Sequence, residues 1–178
     1  MRVLRHALAI LVLPFVVVVV IPRWLRATGS DADTSWDAAL GVTWLPRVAG
    51  LLLIAAGFAL FAWCVALFAR VGQGTLAPWD PTRRLVAVGP YRHVRNPMIT
   101  GAATMLIGQA LFLGSRLVAL WAAAFVLVNH VYFLLFEEPG LAHRFGESYA
   151  AYRRAVPRWL PRRRPWSDES TPPRPSEE

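Results

Sequence analysis

LVALWAAAFVLVNHVYFLLF, residues 117–136, contains no Asp, Glu, Lys or Arg and ends at the carboxylate pair Glu137 and Glu138. An α-helix rises about 1.5 Å per residue, so roughly 20 apolar residues span the ~30 Å hydrocarbon core of a bilayer. These 20 residues therefore predict a transmembrane helix that ends at the two carboxylates.

Three more apolar segments precede it, residues 7–21 (extending to about Leu25), 48–69 and 98–115. Residues 7–21, 48–69 and 98–115 contain no Arg, whose insertion at mid-membrane would cost about 2.5–3.5 kcal/mol. The first could also be a signal peptide, but no small-x-small cleavage pattern follows it, which favours a retained helix. The sequence predicts an all-α polytopic membrane protein with about four transmembrane helices, the last two joined by a tight turn at residues 114–116.

The composition agrees with a membrane protein. Charged residues make up 17% of the chain and hydrophobic residues 56%, whereas a soluble domain has about 25% charged residues. The net charge of +8 comes entirely from Arg, but a nucleic-acid module would not need long uncharged segments, so no nucleic-acid partner is expected. Cys64 is the only cysteine and is expected to be a buried, inert thiol, and no spacing of residues predicts a metal site.

The placement of Arg predicts the orientation. With the N-terminus inside, 15 of the 19 Arg are cytoplasmic, and Arg23, Arg26, Arg47 and Arg116 lie outside. This is the positive-inside bias, and it places both termini in the cytoplasm. Residues 1–164 are interpreted as one integral-membrane domain, and residues 165–178, rich in Pro, Ser and Glu, as a disordered cytoplasmic tail.

Two predicted cytoplasmic stretches carry most of the polar detail. In the first, residues 72–97, Gly and Pro indicate a loop ordered by turns, and Pro97 can begin a helix. Arg92 and Arg95 would then lie at a helix N-terminus, as an anion site or only as markers of the inner membrane face.

The second stretch begins at Glu137 and Glu138, which suit a cation at the lipid boundary or simply end a helix. Beyond them, one face of a predicted helix is apolar, and this helix could cover a pocket or anchor the chain at the membrane surface. The face comprises Leu141, Phe145, Tyr149, Tyr152 and Val156, at spacings of four, four, three and four.

Three polar side chains, Gln109, Asn129 and His130, fall within the apolar segments. Polar groups at membrane depth raise a functional hypothesis, but hydrogen bonds between helices are their more common use.

Two motifs together resemble the isoprenylcysteine carboxyl methyltransferase family, whose core the phospholipid N-methyltransferases share. They are GPYRHVRNP at residues 89–97 and EEPGLAHRFGESYAAYRRAVPR at residues 137–158, and the likeness covers roughly residues 72–161. The chain departs from the family pattern at Asn96, where His is usual, and at Ile99, where Tyr is usual.

The resemblance implies a methyltransferase that binds S-adenosylmethionine at the cytoplasmic ends of the helices, in a bacterial inner (plasma) membrane. Its partners would be the lipid bilayer and a lipophilic acceptor, either a carboxylate such as a prenylcysteine-like group or an amine headgroup. The expected cofactor-binding residues are Tyr91, Arg92, Arg95, Asn96, Pro97, Gly101, Glu137 and Glu138, and the expected catalytic residues are Tyr149, Tyr152 and Arg153.

Charge matching suggests how the two stretches cooperate. They are expected to fold onto each other, with Arg95 near the cofactor carboxylate and Glu138 near its ammonium group or ribose hydroxyls. Methyl transfer from a sulfonium mainly requires alignment and exclusion of water, which fits this set of residues. Two other functions stay open on sequence grounds, an NADPH-dependent membrane reductase and a non-catalytic accessory protein, and the oligomeric state is also open.

Overall fold

A computed structural model describes residues 12–29, 44–71 and 87–167, and the regular structure in these residues is entirely helical. The predicted loop over residues 72–86 lies outside them, as do residues 168–178 of the predicted tail. The helical elements are a π-helical segment Val16–Val20, α1 (Ile21–Thr28), α2 (Trp44–Val71), a 3₁₀ turn Gly89–Arg92, α3 (Pro97–Leu113), α4 (Arg116–Tyr132), a π-helical segment Phe133–Glu137 and α5 (Glu138–Ala155).

Two of the described helices are long and apolar enough to cross a membrane, the region Trp44–Leu67 of α2 and the continuous helix Arg116–Ala155. α3 is apolar but shorter, with 17 residues. The all-α prediction is therefore confirmed for the described residues, whereas the count of four crossings stays a prediction.

α2 and α3 pack with their backbones in close contact, because glycines face each other at two levels. A Cβ atom placed on Gly50 would lie 2.6 Å from the carbonyl oxygen of Gly108, and one on Gly57 would lie 2.6 Å from that of Gly101. The pairing order shows that the two helices are antiparallel. Small residues are the usual means of close helix packing in membranes, where burial of apolar surface supplies little driving force.

The turn between α3 and α4 has the tight geometry that the sequence predicted. Gly114 ends α3 in the left-handed conformation, with φ 63°, which glycine adopts without a Cβ penalty. Ser115 then caps α4, because its side chain accepts a hydrogen bond from the backbone N–H of Val118 at 3.3 Å.

Side chains of α3 and α4 hold the N-terminal π-helical segment in place. Gln109 donates from Nε2 to the carbonyl oxygen of Val18 at 2.8 Å, and Trp121 donates from Nε1 to that of Val17 at 3.0 Å. The prediction of a helix-to-helix hydrogen bond is thus confirmed for Gln109. Asn129 differs, since its amide donates to the carbonyl of Phe125 within α4 itself.

The remaining surfaces of α2 and α4 are apolar and outward-facing. Leu52 and Phe58 of α2 and Leu127 and Val128 of α4 each expose more than half of their surface. Such a surface suits lipid rather than water. Cys64 is fully buried in α2 with a free thiol, as the sequence predicted.

Candidate functional site

The two polar stretches meet where α3 begins and where α4 passes into α5. Pro97 occupies the first turn of α3, which places Arg95 just before the helix, and Glu138 is the first residue of α5. Nη1 of Arg95 donates to Oε1 of Glu138 at 2.7 Å. The two stretches therefore do fold onto each other, as charge matching suggested.

Glu138 is a buried carboxylate surrounded by three guanidinium groups. Arg158 contacts the same oxygen, Oε1, from Nε at 2.8 Å and from Nη2 at 2.6 Å. Nε of Arg153 lies 3.5 Å from the other oxygen, Oε2. The Glu138 side chain is 5% exposed, those of Arg95 and Arg158 are each 12% exposed, and that of Arg153 is 54% exposed. Arg95 and Arg158 are thus the internal partners, and Arg153 lies at the edge.

Two buried atoms in this cluster have no hydrogen-bond partner, Nε of Arg95 and Oε2 of Glu138. Leaving a buried polar atom unpaired costs about 1–3 kcal/mol, and more when the group is charged. Nε of Arg95 is a hydrogen-bond donor and Oε2 of Glu138 is an acceptor, and the two residues are already in contact. A ligand that carries both an anionic acceptor and a cationic or hydroxyl donor would satisfy both, and the amino-acid group is such a ligand.

Sequence reasoning did not include Arg158 or Trp159 among the site residues. His130 was noted only as a polar group at membrane depth, yet its Nδ1 accepts a hydrogen bond from Nε1 of Trp159 at 3.1 Å and lies 3.3 Å from Nη1 of Arg158. The sequence did offer a signal for Arg158, because this residue is the last position of the second motif.

The segment after α5 runs back along the first motif. Its direction is opposite to that of residues 92–95, and three backbone hydrogen bonds of 2.9 Å join the two. They connect the N–H groups of Arg95, Arg162 and Trp166 to the carbonyl oxygens of Pro157, His93 and Arg92, respectively. Nε of Arg92 also donates to the carbonyl of Trp166, so this predicted cofactor residue has an internal partner.

The apolar face predicted for the C-terminal helix is confirmed. Tyr149, Tyr152 and Val156 are buried together, and Leu141 and Phe145 pack against them. The helix is not straight, however, because Gly146 has φ 51° and ψ −126° and introduces a kink. The face continues across the kink, so both halves of α5 contribute to one cluster.

The hydroxyl of Tyr152 donates to the carbonyl oxygen of Tyr91 at 2.7 Å. The ring of Trp166 packs edge-on against that of Tyr152, with centroids 5.2 Å apart. Trp166, assigned to the tail on sequence grounds, therefore contacts a predicted catalytic residue. Burial raises the pKa of the Tyr91 phenol well above its usual range, so this phenol stays protonated even in alkaline solution.

The other predicted site residues lie nearby in varied settings. Asn96 is the N-cap residue of α3 but makes no side-chain cap, and Glu137, partly buried, ends the π-helical segment. Gly101 lies against Gly57 of α2, so helix packing alone requires a glycine there. Their roles toward a ligand stay predictions.

Comparison with known protein families adds an independent observation. The family described as phospholipid methyltransferase matches residues 45–148, which is more than half of the 178 residues and includes both Arg95 and Glu138. Searches of curated proteins and of solved structures found no match. The family match and the two motifs together show that the chain belongs to the phospholipid methyltransferase family, within the wider isoprenylcysteine carboxyl methyltransferase group.

Proposed function

We propose that this membrane protein transfers a methyl group from S-adenosylmethionine to a lipophilic acceptor at the cytoplasmic face. The family is one of methyltransferases, and apolar helices carry the site. The observation that carries the proposal is the buried contact between Arg95 and Glu138, in which one donor and one acceptor are left unpaired.

The unpaired atoms fit the amino-acid part of S-adenosylmethionine. Nε of Arg95 is a donor for its carboxylate, and Oε2 of Glu138 is an acceptor for its ammonium group or a ribose hydroxyl. Oε1 is already occupied by Arg95 and Arg158, whereas Oε2 has only a 3.5 Å contact with Arg153, so Oε2 is the oxygen that can accept from a ligand. Charge-assisted hydrogen bonds in a buried setting are about twice as strong as neutral ones, which supports binding at this position.

When bound, S-adenosylmethionine supplies an electrophilic methyl group on a sulfonium. The residues of this chain then have to bind the cofactor, orient it toward the acceptor and exclude water. Arg95 and Glu138 bind, whereas Tyr149, Tyr152 and Trp166 form a packed aromatic cover beside them. The roles of Tyr149, Tyr152 and Arg153 next to the acceptor are part of this proposal.

The acceptor is a lipid-like carboxylate or amine. A carboxylate can react as it is, whereas an amine first has to lose a proton. His93 is one candidate base, because its Nδ1 lies 2.8 Å from the carbonyl oxygen of Arg162 and must carry the proton there. Its Nε2 is then the basic nitrogen.

The experiment uses the purified protein in nanodiscs made from native lipids. Calorimetry should show saturable binding of S-adenosylhomocysteine, and methyl-labelled S-adenosylmethionine should label a lipophilic product that mass spectrometry can identify. Folded protein that binds NADPH and not S-adenosylhomocysteine would instead support a reductase. Binding of neither would contradict the enzyme proposal.

A further inference from the structure

His130 and Glu138 lie on either side of the π-helical segment Phe133–Glu137. In an unbroken α-helix, residues eight apart differ by about 80° around the axis. A π-helical turn advances less per residue, so five residues in this conformation remove most of that offset. The π-helical segment therefore brings the two side chains to one side of the helix.

The guanidinium group of Arg158 joins these two side chains. Nε and Nη2 contact Oε1 of Glu138 at 2.8 and 2.6 Å, and Nη1 lies 3.3 Å from Nδ1 of His130. All three nitrogens of the group are thus directed at α4 and α5. Because a guanidinium is planar and rigid, fixing one edge fixes the direction of the other.

The contact with Trp159 determines whether Nδ1 of the His130 imidazole carries a proton. An indole N–H can only donate, so Nδ1 of His130, 3.1 Å from Nε1 of Trp159, must carry a lone pair rather than a proton. The same lone pair is shared with Nη1 of Arg158, which lies 3.3 Å from Nδ1. The two ring planes are inclined by 26° with centroids 6.3 Å apart, and Trp159 also contacts Phe133, with centroids 6.0 Å apart.

We propose that Arg158 is a positioning residue for Glu138, and that His130 and Trp159 hold Arg158 in the required orientation. The arrangement concentrates the N–H groups of Arg95 and Arg158 on Oε1 and leaves Oε2 without a hydrogen bond, with only the longer 3.5 Å contact to the half-exposed Arg153. The inference rests on the proposed binding of S-adenosylmethionine beside Glu138. It adds a membrane-depth histidine, outside both motifs, to the residues that determine cofactor affinity.

Two substitutions at one position separate hydrogen bonding from packing. His130→Phe keeps an aromatic ring beside Trp159 but removes the acceptor, whereas His130→Asn loses the ring and keeps an acceptor on the same γ-carbon. In nanodiscs, His130→Phe should weaken S-adenosylhomocysteine binding about tenfold, the effect of one lost hydrogen bond. His130→Asn should recover most of the affinity, to within about threefold of the parent.

A second measurement does not need the cofactor. The Nε–H signal of Arg158, identified in ¹⁵N-labelled protein by its loss in Arg158→Lys, should be protected from exchange in the parent and in His130→Asn, and lost or shifted in His130→Phe. The opposite ranking, with His130→Phe like the parent and His130→Asn impaired in both measurements, would overturn the inference. If the parent binds no S-adenosylhomocysteine, the proposed function fails, and the Nε–H signals alone decide whether His130 positions Arg158.

Discussion

Glu138 is a buried charged residue, and its ion pairs are costlier to break than those of an exposed glutamate. Its carboxylate is paired with Arg95 and Arg158 and nearly inaccessible to water. Removing one member of such a cluster leaves the others without a counter-charge at low dielectric, which is far costlier than losing a surface ion pair. An exposed glutamate on the same helix is therefore a suitable control for any substitution at this position.

We expect Glu138→Gln to weaken S-adenosylhomocysteine binding by about 1–3 kcal/mol, because the ligand loses a charged partner. Calorimetry in nanodiscs measures the change. Glu147→Gln, at an exposed position of α5, should bind as the parent does. Equal affinity of the Glu138 variant and the parent would show that Oε2 is not a ligand contact.

At the scale of elements, α5 depends on one backbone position. Gly146 has φ 51° and ψ −126°, a region that residues with a Cβ avoid, and this kink lets both halves of the helix face one cluster. Gly140, in the same helix, has helical geometry, and a Cβ there would meet nothing within 4 Å. The two glycines thus offer a matched comparison.

Gly146→Ala should lower stability by about 1–3 kcal/mol, since the strained conformation is retained or the kink is lost. Gly140→Ala should be neutral or stabilising by up to ~1 kcal/mol, because alanine is the better helix former. Thermal unfolding followed by intrinsic fluorescence in detergent tests both. Similar midpoints for the two variants would mean that the kink is not needed.

The segment after α5 has no regular structure and packs against the predicted site residues. Trp166 packs on Tyr152, and its backbone pairs with that of Arg92. A chain ended after Ser167 keeps these contacts, whereas one ended after Pro165 loses them.

We expect the shorter chain to be less stable by about 1–2 kcal/mol, because Trp166 is partly buried and full burial of a large apolar side chain contributes about 1.5–3 kcal/mol. The longer chain should match the full-length protein. Thermal midpoints and S-adenosylhomocysteine affinity are the measurements. Two truncations that behave alike would show that Trp166 contributes nothing to the site.

At the scale of the whole molecule, the helices form an apolar body with the polar cluster at one end. α3 has 17 residues, about 26 Å of helix, and packs antiparallel along the apolar part of α2 at both glycine levels. This packing supports α3 as a crossing, although it is shorter than α2 and than the continuous helix Arg116–Ala155. With the first and fourth apolar segments, it supports the proposal of four crossings and two cytoplasmic termini.

Cysteine accessibility tests that arrangement in a Cys64→Ser background. Arg2→Cys and Glu178→Cys should be protected from a membrane-impermeant reagent applied outside, because the Arg distribution places both termini in the cytoplasm. Ser35→Cys, in the predicted outer loop, should be labelled and serves as the control. Labelling of position 178 from outside, with position 2 protected, would disprove an even number of crossings.

The sequence by itself determined the helical membrane character, the apolar face of α5, the turn at Gly114 and the family. Each of these depends on local composition or on residues close in the chain, since hydrophobic periodicity and turn preferences are local properties. The two motifs also pointed correctly to Arg95 and Glu138 as neighbours, because charges at the edge of an apolar region need partners.

Only the tertiary structure decided which atoms meet. Arg95 and Arg158 lie 43 and 20 residues from Glu138, and their convergence depends on how α3 and the final segment pack, which no local pattern encodes. Four of the five residues in the π-helical segment beside Glu138 are apolar, as are most residues of the α-helix before it, so its change of register was invisible in the sequence. Because that register places His130 beside Arg158, the histidine could be recognised as part of the site only once the chain had folded.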